Sequence, residues 1–210
     1  MSGLLDITLR SLLISGSATL LAMLWSLPIA LGISMHEFRG KRVIKSIFTA
    51  LIGMPTVALG LILYMLFSHS GPLGPLHLLY SPSGMIIGQA ILITPIIVSF
   101  TVSTLESVDP EVKDLARTLG ASEGQASLAV LSEAKKGATL SIVAAFNRAI
   151  AELGVAIMIG GNIYGYTQVL TTAISKGVTM GETLLCIELT AVLLVIVFSL
   201  TLLTNLLRGD

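Results

Sequence analysis

Long apolar stretches alternate with short polar connections along this chain, at about residues 12–34, 44–67, 85–105, 138–160 and 184–207. Each reaches the roughly 20 helical residues that a bilayer crossing takes. The first is too long for the apolar part of a signal peptide, normally about 7–15 residues. Pro28, Pro55 and Pro95 lie inside these stretches, where neighbouring helices must take up the carbonyls a proline leaves free. They predict ordinary kinks in helices buried in a bundle. Residues 68–83 carry Gly71-Pro72, Gly74-Pro75 and Ser81-Pro82 and predict an irregular loop. Residues 160–182 are glycine-rich around a helix-compatible middle, 168–176, which predicts a short helix on the same outer face.

One segment breaks the pattern. In residues 109–137, Asp109 suits an N-cap, Pro110 the first helical position and Glu111 the positive end of the helix dipole. Val112, Leu115, Ala116 and Leu119 recur at helical spacing, so one face of this short helix is apolar. Gly120 is placed to end it. Ser122 with Gln125 reads as a capping box that opens a second helix. A helix, a glycine stop and a new helix make a compact polar projection.

Composition turns the apolar stretches into membrane spans. The chain is 54% hydrophobic and 11% charged, with mean hydropathy +0.93, against about 25% charged in soluble domains. Its formal net charge is zero, so no basic excess points to nucleic acid. What matters is where the positive charges fall. Arg39, Lys41, Arg42 and Lys45 lie between the first and second stretches, Lys113, Arg117, Lys135 and Lys136 between the third and fourth, and Arg208 after the fifth. The alternate connections hold only Lys176, with Arg10 ahead of the first stretch. The positive-inside rule then sets the N-terminus outside, the C-terminus inside and residues 109–137 in the cytoplasm.

Several chemistries are missing. Gly40-Lys41-Arg42 lacks the earlier glycine and the Ser/Thr of a phosphate-binding loop, so the chain is not expected to hydrolyse ATP or act as an enzyme. His36, His69 and His77 have no ligand spacing, and no metal site is expected. Cys186 is alone, which excludes a disulfide within the chain.

Asp114-Leu115-Ala116-Arg117-Thr118-Leu119-Gly120-Ala121-Ser122, followed by Gln125-Ala126 and Val130, resembles the EAA signature of ABC importer permeases. That signature runs E-A-A, three residues, G, nine residues, I-x-L-P; here Ser132-Glu133 replaces the closing Leu-Pro. The resemblance implies an all-α, polytopic membrane protein with about five transmembrane helices and the type I importer (MetI-like) permease fold, one transmembrane domain over residues 1–210. It implies that residues 109–137 form the coupling segment, with Glu111, Asp114, Leu115, Ala116, Arg117, Leu119, Gly120 and Ser122 meeting an ATPase. Two cytoplasmic ATP-binding subunits would carry ATP-Mg, and this chain no cofactor. The plainer reading, a helix lying on lipid, is disfavoured by acidic Glu111 and Asp114.

A second resemblance covers most of the chain. Gly53-Met54-Pro55-Thr56-Val57-Ala58-Leu59-Gly60, Ser70-Gly71-Pro72-Leu73-Gly74, Phe146 to Gly154, Gly160-Gly161-Asn162-Ile163 and Val169-Leu170-Thr171-Thr172-Ala173-Ile174 are similar to tungstate-type permeases. Molybdate permeases share the Arg148…Glu152-x-Gly154 pattern and the Gly-Asn turn. The resemblance implies uptake of a tetrahedral oxyanion, tungstate first and molybdate second, by a homodimer in a prokaryotic cytoplasmic membrane, fed by an external binding protein. Sulfate or another small solute is the alternative cargo. An ion-coupled carrier with Arg148 and Glu152 as proton relay is the alternative class; it should show an internal repeat of spans, and none is visible.

Arg148 and Glu152 lie one helical turn apart near the middle of the fourth stretch, where neither charge should face lipid. Either Arg148 shapes the anion path, with Asn147 on the adjoining face, or the two form an ion pair that locks helices. A neutralised arginine attracts an anion poorly, which favours the lock. At the outer end, Gly160, Gly161, Asn162, Thr171 and Thr172 form a gate or loop region. Backbone N–H groups there would suit an oxyanion, and a plain turn fits equally well.

Overall fold

The computed structural model describes residues 2–208. Residues 1, 209 and 210 lie outside it, as do the side chains of Pro110 and Arg208, on which part of the sequence reading rests. The elements run α1 (Ser2–Met35), α2 (Lys41–Ile52), α3 (Thr56–Phe67), a 3-10 turn (Gly74–Leu76), α4 (Pro82–Glu106), α5 (Pro110–Thr118), α6 (Glu123–Glu133), α7 (Lys135–Ile150), α8 (Gly154–Gly160), α9 (Leu170–Met180) and α10 (Thr183–Arg208).

The centre is the parallel pair α1 and α4. Ile14 packs with Met85, Ala18 and Ala22 with Ala90 and Ile93, and Ala30 and Ile33 with Val98 and Val102, so rising numbers meet rising numbers. Small alanines on this seam let the two backbones approach, which is how helices gain packing where water supplies no drive. Three described helices are long and apolar enough to cross a membrane, namely Gly3–Met35, Pro82–Glu106 and Thr183–Leu206. Leu5, Leu9, Leu13, Leu20 and Leu24 form an exposed stripe down α1, and Val195, Phe198 and Leu202 another down α10. Such faces are stable in lipid, and the chain is a multi-pass membrane protein.

The second and fourth apolar stretches are not single straight helices. Between α2 and α3 the chain turns by 98°, and between α7 and α8 by 57°. Counting each bent pair as one span restores the five expected from the sequence. The first bend has a local cause: Pro55 lacks the N–H that would continue α2, and Gly53 caps that helix. Beyond the bend α2 leans on α4, where both Lys41 and Lys45 pair with Glu106. Pro95 is buried as expected, whereas Pro28 and Pro55 are exposed.

The half-helices α3 and α8 pack against each other and against α4 through glycines. A Cβ on Gly60 would stand 3.0 Å from Met158 Cβ, and one on Gly154 2.6 Å from Thr56 Oγ1 and 2.9 Å from the Val57 nitrogen. Gly88 of α4 faces Val155, whose Cγ1 a Cβ would meet at 2.8 Å. The two bends therefore lie side by side, with the first turn of α3 against the first residue of α8.

Candidate functional site

The projection forms as its residues dictate. Asp109 Oδ1 accepts the Glu111 N–H at 3.0 Å, and α5 starts at Pro110. Gly120 takes φ +88°, and the Ala121 N–H reaches back to the Ala116 carbonyl at 3.0 Å, closing the helix end. A Cβ at Gly120 would meet nothing within 4 Å, so the backbone angle alone demands glycine. The capping box is complete: Gln125 Oε1 accepts the Ser122 N–H at 2.8 Å and Ser122 Oγ the Gln125 N–H at 3.4 Å.

Charge stiffens this knob. Arg117 donates through Nε and Nη2 to the two oxygens of Glu123, at 2.8 and 3.0 Å, and Nη1 lies 3.3 Å from Asp114. The Arg117 hydrogen bond and charge hold the Glu123 carboxyl below its ordinary range, and Glu123 holds Arg117 above its own. Lys113 Nζ donates to the Met35 carbonyl at the end of α1, 3.3 Å away, anchoring the knob to the bundle. Val112 packs inward, Ala116 is half-buried, and Glu111, Asp114 and Ser122 are exposed. Leu115 is 62% exposed, Leu119 80% and Leu128 62%. Lys113 and Glu123 belong to the charged cluster, although the sequence did not mark either as part of the coupling face. Arg117 and Glu123 are six apart, a spacing no helix brings together; the reversal at Gly120 does so.

The second cluster is buried. Arg148 and Glu152 meet as expected, Nη1 to Oε2 at 2.5 Å, but Glu152 lies beyond the end of α7, inside the bend. Its other oxygen accepts the Val155 N–H at 3.0 Å, capping α8. Its carbonyl, freed by the bend, accepts the Thr171 hydroxyl at 2.7 Å. Glu152 is 2% exposed, the Arg148 side chain 35%. Residues 150–154 carry no proline and read as continuous helix. The side chain of Glu152 competes for the backbone there, and Gly154 admits α3. Asn147 turns away and donates to Thr201 of α10 at 2.8 Å.

At the far end of α8, Gly161 and Asn162 both adopt left-handed angles, φ +67° and +51°. Of the residues expected to offer N–H groups to an oxyanion, Gly161 directs its own to the Ile157 carbonyl at 3.0 Å; of their neighbours, Ile163 bonds Thr167 Oγ1 at 3.0 Å and Leu170 bonds Ser11 Oγ at 2.8 Å. The Thr167 hydroxyl donates to the Gly160 carbonyl at 2.5 Å. Thr172 Oγ1 accepts the Val169 N–H at 3.0 Å and caps α9. The helix expected over residues 168–176 is α9, and its first turn is buried rather than lying on a surface. Tyr64, Tyr80, Ile157, Met158, Gly161 and Ile163 line an open cavity of about 480 Å³ at the end of α8.

Residues 21–209 match the family of binding-protein-dependent transport system inner membrane components. The chain is 37% identical over 199 residues to a probable anion ABC transporter permease protein of Haloferax volcanii, covering 92% of this chain and 86% of that one. It is 36% identical over 190 residues to the tungstate uptake system permease protein TupB of Peptoclostridium acidaminophilum, covering 90% and 83%. The crystal structure of an amino acid ABC transporter with histidines superposes at TM-score 0.67 and 18% identity, covering 98% of this chain and 92% of that one, and so shares the fold. With its glycine-stopped helix pair set between apolar spans, the chain belongs to the ABC transporter permeases, the family of binding-protein-dependent inner membrane components.

Proposed function

We propose that this chain is the membrane-spanning subunit of an ATP-driven importer of a tetrahedral oxyanion, tungstate first and molybdate next. Two relatives support that cargo, one named for anions and one for tungstate. The observation that carries the mechanism is the α5–Gly120–α6 knob, whose exposed Leu115 and Leu119 stand on a frame that a two-pronged Arg117–Glu123 bridge holds rigid. A short helix with exposed apolar anchors suits docking in a groove of another protein.

On this reading the N-terminus is outside and the C-terminus inside a prokaryotic cytoplasmic membrane, and residues 109–137 face the cytoplasm. Two copies pair, and each knob seats one ATP-binding subunit that carries ATP-Mg; the permease itself forms a single transmembrane domain. Closure of the nucleotide-binding pair pushes on the knob, and Lys113 passes the push to the end of α1. An external binding protein delivers the anion near residues 160–170. Arg148 and Glu152 serve to lock the bend, so no net positive charge holds the anion in the membrane and release is easy.

Reconstitution in liposomes with the ATP-binding subunit and the binding protein tests this. Tungstate-loaded binding protein should raise ATP turnover most, molybdate less and sulfate least. A sulfate response with no tungstate response overturns the cargo; no response to any oxyanion overturns the importer.

A further inference from the structure

We propose that Thr171 is a positioning residue that ties the outer loop to the α7–α8 bend, so that a binding protein docked on the loop acts on the bend itself. The inference rests on the functional reading above and adds to it a route for the docking signal.

The chain leaves the bend along α8 and returns to it at Thr171. The two hydrogen-bonded residues are 19 apart in sequence, so their bond closes a ring: bend, α8, loop and the start of α9. The ring is stiff along its length. Thr167 ties the loop to the end of α8 through the Gly160 carbonyl, and accepts the Ile163 N–H. Arg10 clamps the other side, Nη1 to the Gln168 carbonyl at 3.0 Å and Nη2 to the Gly165 carbonyl at 3.0 Å. Thr167 and Thr172, at the base, are fully buried, whereas Tyr164 is 76% and Tyr166 52% exposed at the tip. Exposed aromatic side chains on a fixed loop are the kind of anchor protein partners use.

Force on a stiff closed ring appears where it is attached. Arg10 and Ser11 hold the ring to α1, and the bend holds it twice, covalently through Gly154 and by the Thr171 hydroxyl on the Glu152 carbonyl. This tie is separate from what holds the bend shut, because the Glu152 carboxylate is already occupied by Arg148 and by the Val155 N–H. Removing the Thr171 hydroxyl therefore leaves the ion pair and the α8 cap in place. The bend is then reached from the ring only through α8, and movement at the start of α9 is no longer passed to it.

The test uses the complete complex in liposomes, comparing wild type with Thr171→Val, Thr171→Ala, Thr171→Ser and Tyr164→Ala. The readouts are basal ATP turnover, maximal turnover with tungstate-loaded binding protein, and the binding-protein concentration giving half the stimulation. Thr171→Val and Thr171→Ala should keep basal turnover and half-saturation, and lose about 3- to 10-fold in maximal stimulated turnover, the factor that one hydrogen bond is worth. Thr171→Ser, which keeps the hydroxyl, should stay at the wild-type maximum. Tyr164→Ala should do the reverse, raising half-saturation and sparing the maximum. A wild-type maximum in either hydroxyl-free variant overturns the proposal, as does an equal loss in Thr171→Ser or an unchanged half-saturation in Tyr164→Ala. A wild type that no binding protein stimulates contradicts the functional reading, and the proposal falls with it.

Discussion

The molecule interrupts its helices in two contrasting ways. At Gly120 the interruption is exposed, and the bonds that shape it are local: Asp109 to Glu111, Ser122 to Gln125, Arg117 to Glu123. At Glu152 it is buried, and residues from elsewhere meet it: the Thr171 hydroxyl beyond α8 bonds the Glu152 carbonyl, and the start of α3 presses on Gly154. The first can present a firm surface to a partner at little cost to the bundle. The second is part of the bundle, and cannot change without repacking it. Damage should therefore separate cleanly, with coupling lost at the knob and assembly lost at the bend.

The largest effect is expected at the bend. Glu152→Ala leaves the half-buried Arg148 without its partner and the buried Val155 N–H without its acceptor, a loss of about 1–3 kcal/mol for the N–H alone, to which the unpaired guanidinium adds. Folded yield in the membrane and the unfolding temperature in detergent should both fall sharply. An unchanged yield with altered anion preference would instead place Arg148 in the path. Next comes Gly154→Val, which drives a side chain into the first turn of α3 at a cost of about 1–3 kcal/mol or more. The same unfolding measurement checks it, and a wild-type midpoint would mean that α3 and α8 do not press together.

At the knob, Gly120→Val forces a branched residue to φ +88°, costing about 1–2 kcal/mol, with no neighbour to clash against. Yield should hold while anion uptake falls relative to ATP hydrolysis. If uptake per ATP is unchanged, the knob is not the coupling element. The smallest effect concerns pH. Arg117 depresses the Glu123 carboxyl, so the stabilisation is fully present above the unfolded value, about pH 4.3, and is lost only as pH falls through the lowered folded one. Protease protection of residues 109–133 should thus stay flat near neutrality, and Glu123→Gln should remove the decline at acid pH.

The same contrast explains what was legible in the sequence. The knob could be read because its caps and its stop are local chemistry: Asp109-Pro110, Gly120, and Ser122 with Gln125. Apolar length revealed α1, α4 and α10. The bends could not be read in the same way. Gly53 and Pro55 hint at the first, but nothing in Ile150-Ala151-Glu152-Leu153-Gly154 announces the second, where Thr56 arrives against Gly154 only in space. Charge spacing found the Arg148–Glu152 pair and missed that Glu152 also caps α8. Arg117 and Glu123 were hidden because the turn, not a helical repeat, joins them.

The most direct measurement places a cysteine at Leu119 in a Cys186→Ser background, in membranes that also hold the ATP-binding subunit. With a short reagent that joins a thiol to an amine, the predicted result is a crosslink from residue 119 to a lysine of the ATP-binding subunit, together with protection from a membrane-impermeant thiol reagent added outside. Labelling from outside, or the absence of any crosslink in the assembled complex, would contradict a cytoplasmic knob that drives the gate.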